Sequence, residues 1–219
     1  MDTNYTERLE NVVKQMLKPF KDIPFNLVIE SLTGHKVLKF DNKQDKELLE
    51  VIKEVAVSGG KKINKSGIVS IRANEVGNYI ENFVKDAMKE FKLKPDTPAG
   101  KSGNKKSSGY PDIIFYYKNN PYYLECKTYN LKNVATTQRS FYFSPSEEFK
   151  VTHDTVHFML SYEMMVTGSS GKANVYKCKH YKVVSLEALS IDIKYEFNSD
   201  NKRLYSGNDG AIVLAEGNI

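Results

Sequence analysis

Two strand-like runs, Asp112-Ile-Ile-Phe-Tyr-Tyr117 and Tyr122-Tyr-Leu-Glu-Cys-Lys-Thr128, are separated only by Lys118-Asn119-Asn120-Pro121. So short a connection forces an antiparallel hairpin, because a parallel pair needs a crossover of a dozen or more residues. Asn119-Asn120 suits a two-residue primed turn, since asparagine accepts positive φ more readily than most residues. That turn pairs Lys118 with Pro121, sets Asp112 opposite Lys127 and puts Ile114 opposite Glu125. Side chains alternate along a strand, so Asp112, Glu125 and Lys127 share one face. Ile113, Phe115, Leu124 and Cys126 share the other, which is apolar. Opposed Cβ atoms lie about 4.5–5.5 Å apart and diagonal ones about 7–8 Å. Two carboxylates at the diagonal distance, with converging oxygens, can hold one divalent ion that removes their mutual repulsion.

The remaining elements are read around this hairpin. Leu9, Val12, Val13, Met16 and Leu17 have helical spacing over about Thr6 to Leu17. Phe25 to Phe40 reads as extended, with Thr33-Gly34 as a hairpin turn. Leu48, Leu49, Ile52 and Val55 mark a second helix ending at Gly59-Gly60, and Ser58 to Gly67 is expected to be a loop carrying Lys61, Lys62 and Lys65. Residues 1–66 are therefore expected to be an elaboration of helix, hairpin and helix packed on a core of residues 67–219, forming one compact domain. From Asn74 to Phe91 the apolar stripe Val76, Ile80, Phe83, Val84, Ala87, Met88 and Phe91 predicts a helix. Asn74, Asn78, Glu81 and Lys85 lie on its opposite side. Pro95 to Ser108, rich in Gly, Ser and Lys, reads as a mobile loop. Strands are expected at Thr155 to Tyr162, Ala173 to Val184 and Ile191 to Phe197, with a helical turn at Leu186 to Leu189. The class is α/β (α+β).

Composition narrows the setting. The 219 residues are 40% hydrophobic, enough for a core, and no stretch approaches the roughly 18 uninterrupted apolar residues of a membrane span. No membrane partner is expected. The opening residues lack a cationic flank followed by an apolar stretch, so no signal peptide is expected. Two cysteines, Cys126 and Cys178, are too few for a disulfide framework or a thiolate zinc site and point to a reducing, cytoplasmic setting. The net charge of +5 is mild, so its distribution carries more weight than its size. Lys61, Lys62, Lys65 and Arg72 form one basic block, Lys101, Lys105 and Lys106 a second, and Lys127, Lys132 and Arg139 a third. Solvated loops also collect charge, but blocks of this kind suit a phosphate backbone.

Carboxylate oxygens, a backbone carbonyl and waters are the hard ligands that Mg²⁺ accepts. A metal there can polarise a phosphoryl oxygen and help ionise an attacking water, while Lys127 stabilises charge on the phosphate. The bland alternative is a surface hairpin with an Asp–Lys cross-strand pair, worth about 0.2–1 kcal/mol. Two other constellations fail. His153 and His157 are spaced like helical zinc ligands but lie in a strand-like run without thiolates nearby, so substrate contact or core hydrogen bonding is expected instead. Ser144 and Ser146 near His153 and Asp154 lack the glycine pattern of a nucleophile elbow.

Pro111-Asp112, twelve residues, then Glu125-Cys126-Lys127 resembles the PD-(D/E)xK nuclease motif. Gly77-Asn-Tyr-Ile-Glu81 resembles the helix that such nucleases place before the Asp strand, with an acid reaching the site; the likeness spans roughly Arg72 to Tyr162. It implies a restriction-endonuclease-like mixed central sheet flanked by helices. It also implies Mg²⁺, with Mn²⁺ able to substitute, held by Asp112, Glu125 and the Cys126 backbone carbonyl. Catalysis would fall to Asp112, Glu125, Lys127 and Glu81. Gln138 and Tyr142 have the Gln-x-x-x-Tyr spacing of one nuclease branch, but Phe141-Tyr-Phe143 and Ser144-Pro145 break a helix there. Thr137, Gln138, Arg139 and Ser140 are instead expected in a DNA-contacting loop, since Gln can read adenine and Arg guanine or phosphate. Lys101, Lys105, Lys106, Asn74 and Asn78 are expected to touch DNA as well. The most similar class is the type II restriction endonuclease, implying double-stranded DNA as substrate, a homodimer, a cognate DNA methyltransferase and a bacterial or archaeal cytoplasm. A structure-selective repair nuclease, a Holliday-junction resolvase and an inactive DNA-binding module are the competing readings.

Overall fold

The computed structural model describes residues 3–16, 18, 20–105, 108–136, 141, 143 and 146–193. They divide into two compact units, one comprising the terminal segments up to Ile23 and from Ile191, the other Pro24–Ser190. Among the described residues no helix is long and apolar enough to cross a membrane.

In the terminal segments α1 (Thr3–Met16) forms where apolar spacing predicts it, with Leu9, Val12, Val13 and Met16 exposed. A two-stranded sheet joins β1 (Phe20–Pro24) to β7 (Ser190–Ile193). The expected strand Ile191 to Phe197 thus begins as predicted, and its remainder lies outside the described residues.

The larger unit contains α2 (Phe25–Thr33), α3 (Lys46–Ser66), β2 (Ile68–Ser70) and α4 (Gly77–Glu90). Then follow β3 (Ile113–Tyr117), β4 (Asn120–Tyr129), β5 (His157–Ser170) and β6 (Ala173–Ser185). Its sheet has the order β2-β6-β5-β4-β3, antiparallel throughout except for the parallel pair β4–β5. This mixed five-stranded sheet with flanking helices is the expected fold class. Ile52, Val55 and Ile63 of α3 and Ile80, Val84 and Met88 of α4 join Phe115, Leu124 and Leu160 of the sheet in the core. The apolar stripe of α4 is therefore what seats this helix beside the central hairpin.

Three local expectations are corrected. The first arm of the supposed hairpin at Phe25 to Phe40 is helix α2, and the second, Lys36 to Phe40, has only an isolated bridge from Val37 to Thr155; Phe25 and Ile29, one turn apart, are buried while Leu27 is exposed. Gly34, read as a turn residue, closes this helix, its N–H bonding to the Glu30 carbonyl at 2.8 Å.

Second, the helix predicted to stop at Gly59-Gly60 runs on to Ser66, so Lys61, Lys62 and Lys65 are helical and not in a loop. A Cβ at Gly59 would lie 2.6 Å from the Tyr162 hydroxyl oxygen, and one at Gly60 would lie 3.1 Å from the Cys178 sulfur. These glycines serve close approach to β5 and β6, and burial outweighs their poor helix propensity. Lys62 is engaged by Glu90 at 2.7 Å.

Third, the hairpin turns at Lys118-Asn119, with φ of 48° and 66°, and pairs Tyr117 with Asn120 and Ile113 with Leu124. The pair closing a two-residue turn exchanges N–H···O bonds, and Pro121 has no N–H to give. The predicted closure of Lys118 on Pro121 was thus chemically barred. Carrying the observed ladder one residue past Ile113 puts Asp112 opposite Glu125, not Lys127. The slip is an even number of residues, so the faces assigned from sequence survive it.

Candidate active site

Asp112 stands just ahead of β3, and its Oδ2 accepts the N–H of Cys126 at 2.8 Å. Ile114 turns both backbone groups outward to Asp96, at 2.8 and 3.0 Å, so the alternate residues face β4. By the same alternation the carbonyl of Cys126 points with its N–H toward the strand carrying Asp112. The next position in that ladder is Pro111, which has no N–H to offer the carbonyl. The proline of the motif therefore leaves the Cys126 carbonyl without that ladder partner. The Cys126 side chain belongs to the apolar core on the other face.

Glu125 is only 3% exposed. Its Oε1 lies 2.7 Å from Lys127 Nζ, while its Oε2 is buried without a hydrogen-bond partner among the described residues. Burial, then the Asp112 charge, pushes its carboxyl up to about 7, with Lys127 opposing. Burial also raises the Asp112 carboxyl, against the Cys126 N–H and Lys127. Lys127 keeps partial exposure and sits 5.8 Å from the Phe141 ring centroid. Asp112, Glu125, Lys127 and Asn78 line one cavity of about 560 Å³. A buried and a half-buried carboxylate, both with raised proton affinity, and one orphaned oxygen are a donor set that fits a hard dication, which would relieve both burial and repulsion.

The other predicted residues divide. Glu81 Oε1 is held by Lys85 Nζ at 2.5 Å, and Lys85 also donates to Thr97 Oγ1 at 2.8 Å. The Glu81 charge reaches Asp112 and raises its carboxyl further. Among the described residues no group of three or more His, Cys, Asp or Glu side chains gathers as metal ligands. Asn74 is exposed in the short helical turn Ala73–Glu75, away from the cavity lining. Lys101 is exposed, 6.0 Å from the Phe149 ring centroid, and Lys105 is tied to Asp96 at 2.6 Å. Lys106, Thr137, Gln138, Arg139 and Ser140 lie outside the described residues.

Sequence reasoning missed Lys150 and Tyr110. Lys150 is 3% exposed, lines the same cavity and donates to the Gly109 carbonyl at 2.7 Å. The Tyr110 hydroxyl meets His157 Nδ1 at 2.6 Å in a buried pair, so His157 serves core hydrogen bonding as expected. Lys150, set between Phe149 and Val151 in a charged and polar stretch, carries no signal in sequence, and only the fold brings it to the wall of the cavity.

The sheet order and the acid–acid–lysine cluster at one end of the central hairpin define a restriction-endonuclease-like protein. The chain belongs to the family described as Type II restriction enzyme MjaV, which it matches over residues 19–208. It is 37% identical over 223 residues to the type II restriction enzyme MjaV of Methanocaldococcus jannaschii, covering 93% of this chain and 94% of that protein.

Proposed function

We propose that Asp112 and Glu125 hold a divalent cation, Mg²⁺ with Mn²⁺ able to replace it, and that Lys127 assists hydrolysis of a DNA phosphodiester bond beside them. Family membership makes the chain a site-specific type II restriction endonuclease; the metal and the residue roles are our reading. The observation that carries it is the buried, unpartnered Glu125 Oε2 alongside Asp112, with Lys127 Nζ 2.7 Å from the other Glu125 oxygen. The cation, when bound, supplies a positive centre that polarises a phosphoryl oxygen and lowers the cost of ionising water.

The protein's own groups do the rest. The Cys126 N–H fixes Asp112, and the Cys126 carbonyl would supply a third oxygen to the cation. Lys127 has its ammonium at the pocket and donates to the non-bridging oxygen where charge builds in the transition state. Glu81, braced by Lys85, biases the charge at Asp112 from outside the ligand set. Asn78 meets the backbone of the duplex at the cavity, while Asn74, Lys101, Lys105 and Lys106 contact it further out. Thr137, Gln138, Arg139 and Ser140 read the sequence. On this reading residues 67–219 are the catalytic core and 1–66 its elaboration. The enzyme acts as a homodimer to cut both strands of a symmetric site, and a cognate methyltransferase protects host DNA.

Incubating the protein with unmethylated phage DNA and Mg²⁺, then sequencing the ends, tests the reading. One short recognition sequence with a fixed cut position is expected, and Asp112→Asn should abolish the cuts. Ends scattered without a common sequence, or cutting confined to branched DNA, would overturn it.

A further inference from the structure

We propose that Lys150 is a positioning residue of this active site: by gripping the Gly109 carbonyl it fixes the segment that carries Asp112 into the cavity. The inference rests on the assignment of Asp112, Glu125 and Lys127 to catalysis and deepens it.

Lysine is almost never fully buried unless it is paired, and Lys150 is 3% exposed and hydrogen-bonded. A methionine would fill nearly the same space without the cost of desolvating an ammonium, so a packing role alone does not account for the charge. The Nζ is committed to a backbone acceptor, the Gly109 oxygen at 2.7 Å, three residues ahead of Asp112. Gly109 has a φ of 84°, in the left-handed region, so the aim of its carbonyl depends on a conformation other residues rarely adopt.

Among the described residues none pairs as a strand with the backbone between residue 108 and the first ladder pair at Ile113. Two side-chain contacts take that place. Tyr110 is pinned through its hydroxyl to His157, inside an aromatic nest with Phe25 at 5.5 Å between centroids. Lys150 pins the backbone one residue earlier. A ring anchored at one residue and a carbonyl anchored at the next fix both the rotation and the position of the approach to Asp112. Lys150 also lines the cavity with Asp112 and Glu125, and those two charges favour its ammonium against burial.

Four variants test this: Lys150→Met, Lys150→Arg, Gly109→Ala and, as reference, Asp112→Asn. Each is read by circular dichroism, by kcat and KM with Mg²⁺, and by DNA affinity measured without divalent cation. Lys150→Met should fold and lose about 100-fold in kcat, with KM and DNA affinity changed by less than about threefold, as for a misplaced catalytic group. Lys150→Arg, which keeps donor and charge, should regain at least about tenfold of that loss. Gly109→Ala meets nothing within 4 Å of its new Cβ but strains the backbone at positive φ, and should lower kcat at constant KM. If Lys150→Met does not fold, Gly109→Ala decides alone, and an unchanged kcat refutes the proposal. Loss through KM or DNA affinity, or an arginine variant no better than methionine, also overturns it. Should Asp112→Asn still cleave, the catalytic assignment itself has failed; an inert Asp112→Asn beside a fully active Lys150→Met sinks only the role of Lys150.

Discussion

Replacing Glu125 by Gln should stabilise the metal-free protein at alkaline pH and leave it nearly unchanged at acid pH. The Glu125 carboxyl rises from its ordinary 4.5 to about 7, chiefly through burial. At 1.36 kcal/mol per pH unit, ionising it inside the fold costs about 3 kcal/mol more than ionising it in the unfolded chain. The sign follows from proton counting. Between pH 4.5 and about 7 the native state holds this proton more tightly than the unfolded state, so stability falls as pH rises through that window. The contribution is fully present below 4.5 and lost above 7. Glutamine resembles the neutral acid in shape and does not titrate. Urea unfolding of both proteins in EDTA, at pH 4 and at pH 8, should show the variant gaining about 3 kcal/mol on the wild type between the two conditions. Mg²⁺ at pH 8 should narrow the gap, since it stabilises the carboxylate and has less to hold in the variant. A difference that is independent of pH, or a wild type that gains on the variant as pH rises, would refute the claim that burial defeats the Lys127 ion pair.

Lys127→Met should lower kcat by about 10²–10³ in a steady-state cleavage assay, the usual loss for one donor aimed at developing charge. Gly59→Ala should cost about 1–3 kcal/mol in chemical denaturation, because its Cβ would stand 2.6 Å from a Tyr162 hydroxyl that is itself bonded to the Ala56 carbonyl. Adding Tyr162→Phe should then cost less than the sum of the two changes, since the clashing oxygen has gone. Asn119→Gly should raise the melting temperature modestly, by up to about 1 kcal/mol of stability, because φ is 66° there.

The site was more legible in the sequence than the fold around it. Period-two alternation assigns Asp112, Glu125 and Lys127 to one face whatever the exact turn, and only an odd slip could have reversed that. The turn itself could have been read correctly, since a proline at position 121 forbids the closure on Lys118. The Phe25 to Phe40 region misled because Asn26-Leu-Val-Ile29 is β-branched and apolar, and only burial of Phe25 and Ile29 together decides for a helix. Gly59-Gly60 misled for the opposite reason: tertiary contact with Tyr162 and Cys178 demands what local propensity disfavours. Lys150 lies 38 residues beyond Asp112 in the chain, and no periodicity ties the two.

The charges of the cavity fit together only when these readings are combined. With its acids ionised, the cavity lining sets Asp112, Glu125 and Glu148 against Lys127 and Lys150, three negative charges against two positive, while Glu81 is neutralised by Lys85. The cavity is then close to neutral and can be buried without gross repulsion. Burial still leaves Glu125 reluctant to ionise, so the metal-free fold favours its protonated form. Uptake of a dication by the two acids would ionise Glu125 fully and give the cavity a net positive charge, the complement of a phosphodiester approaching it.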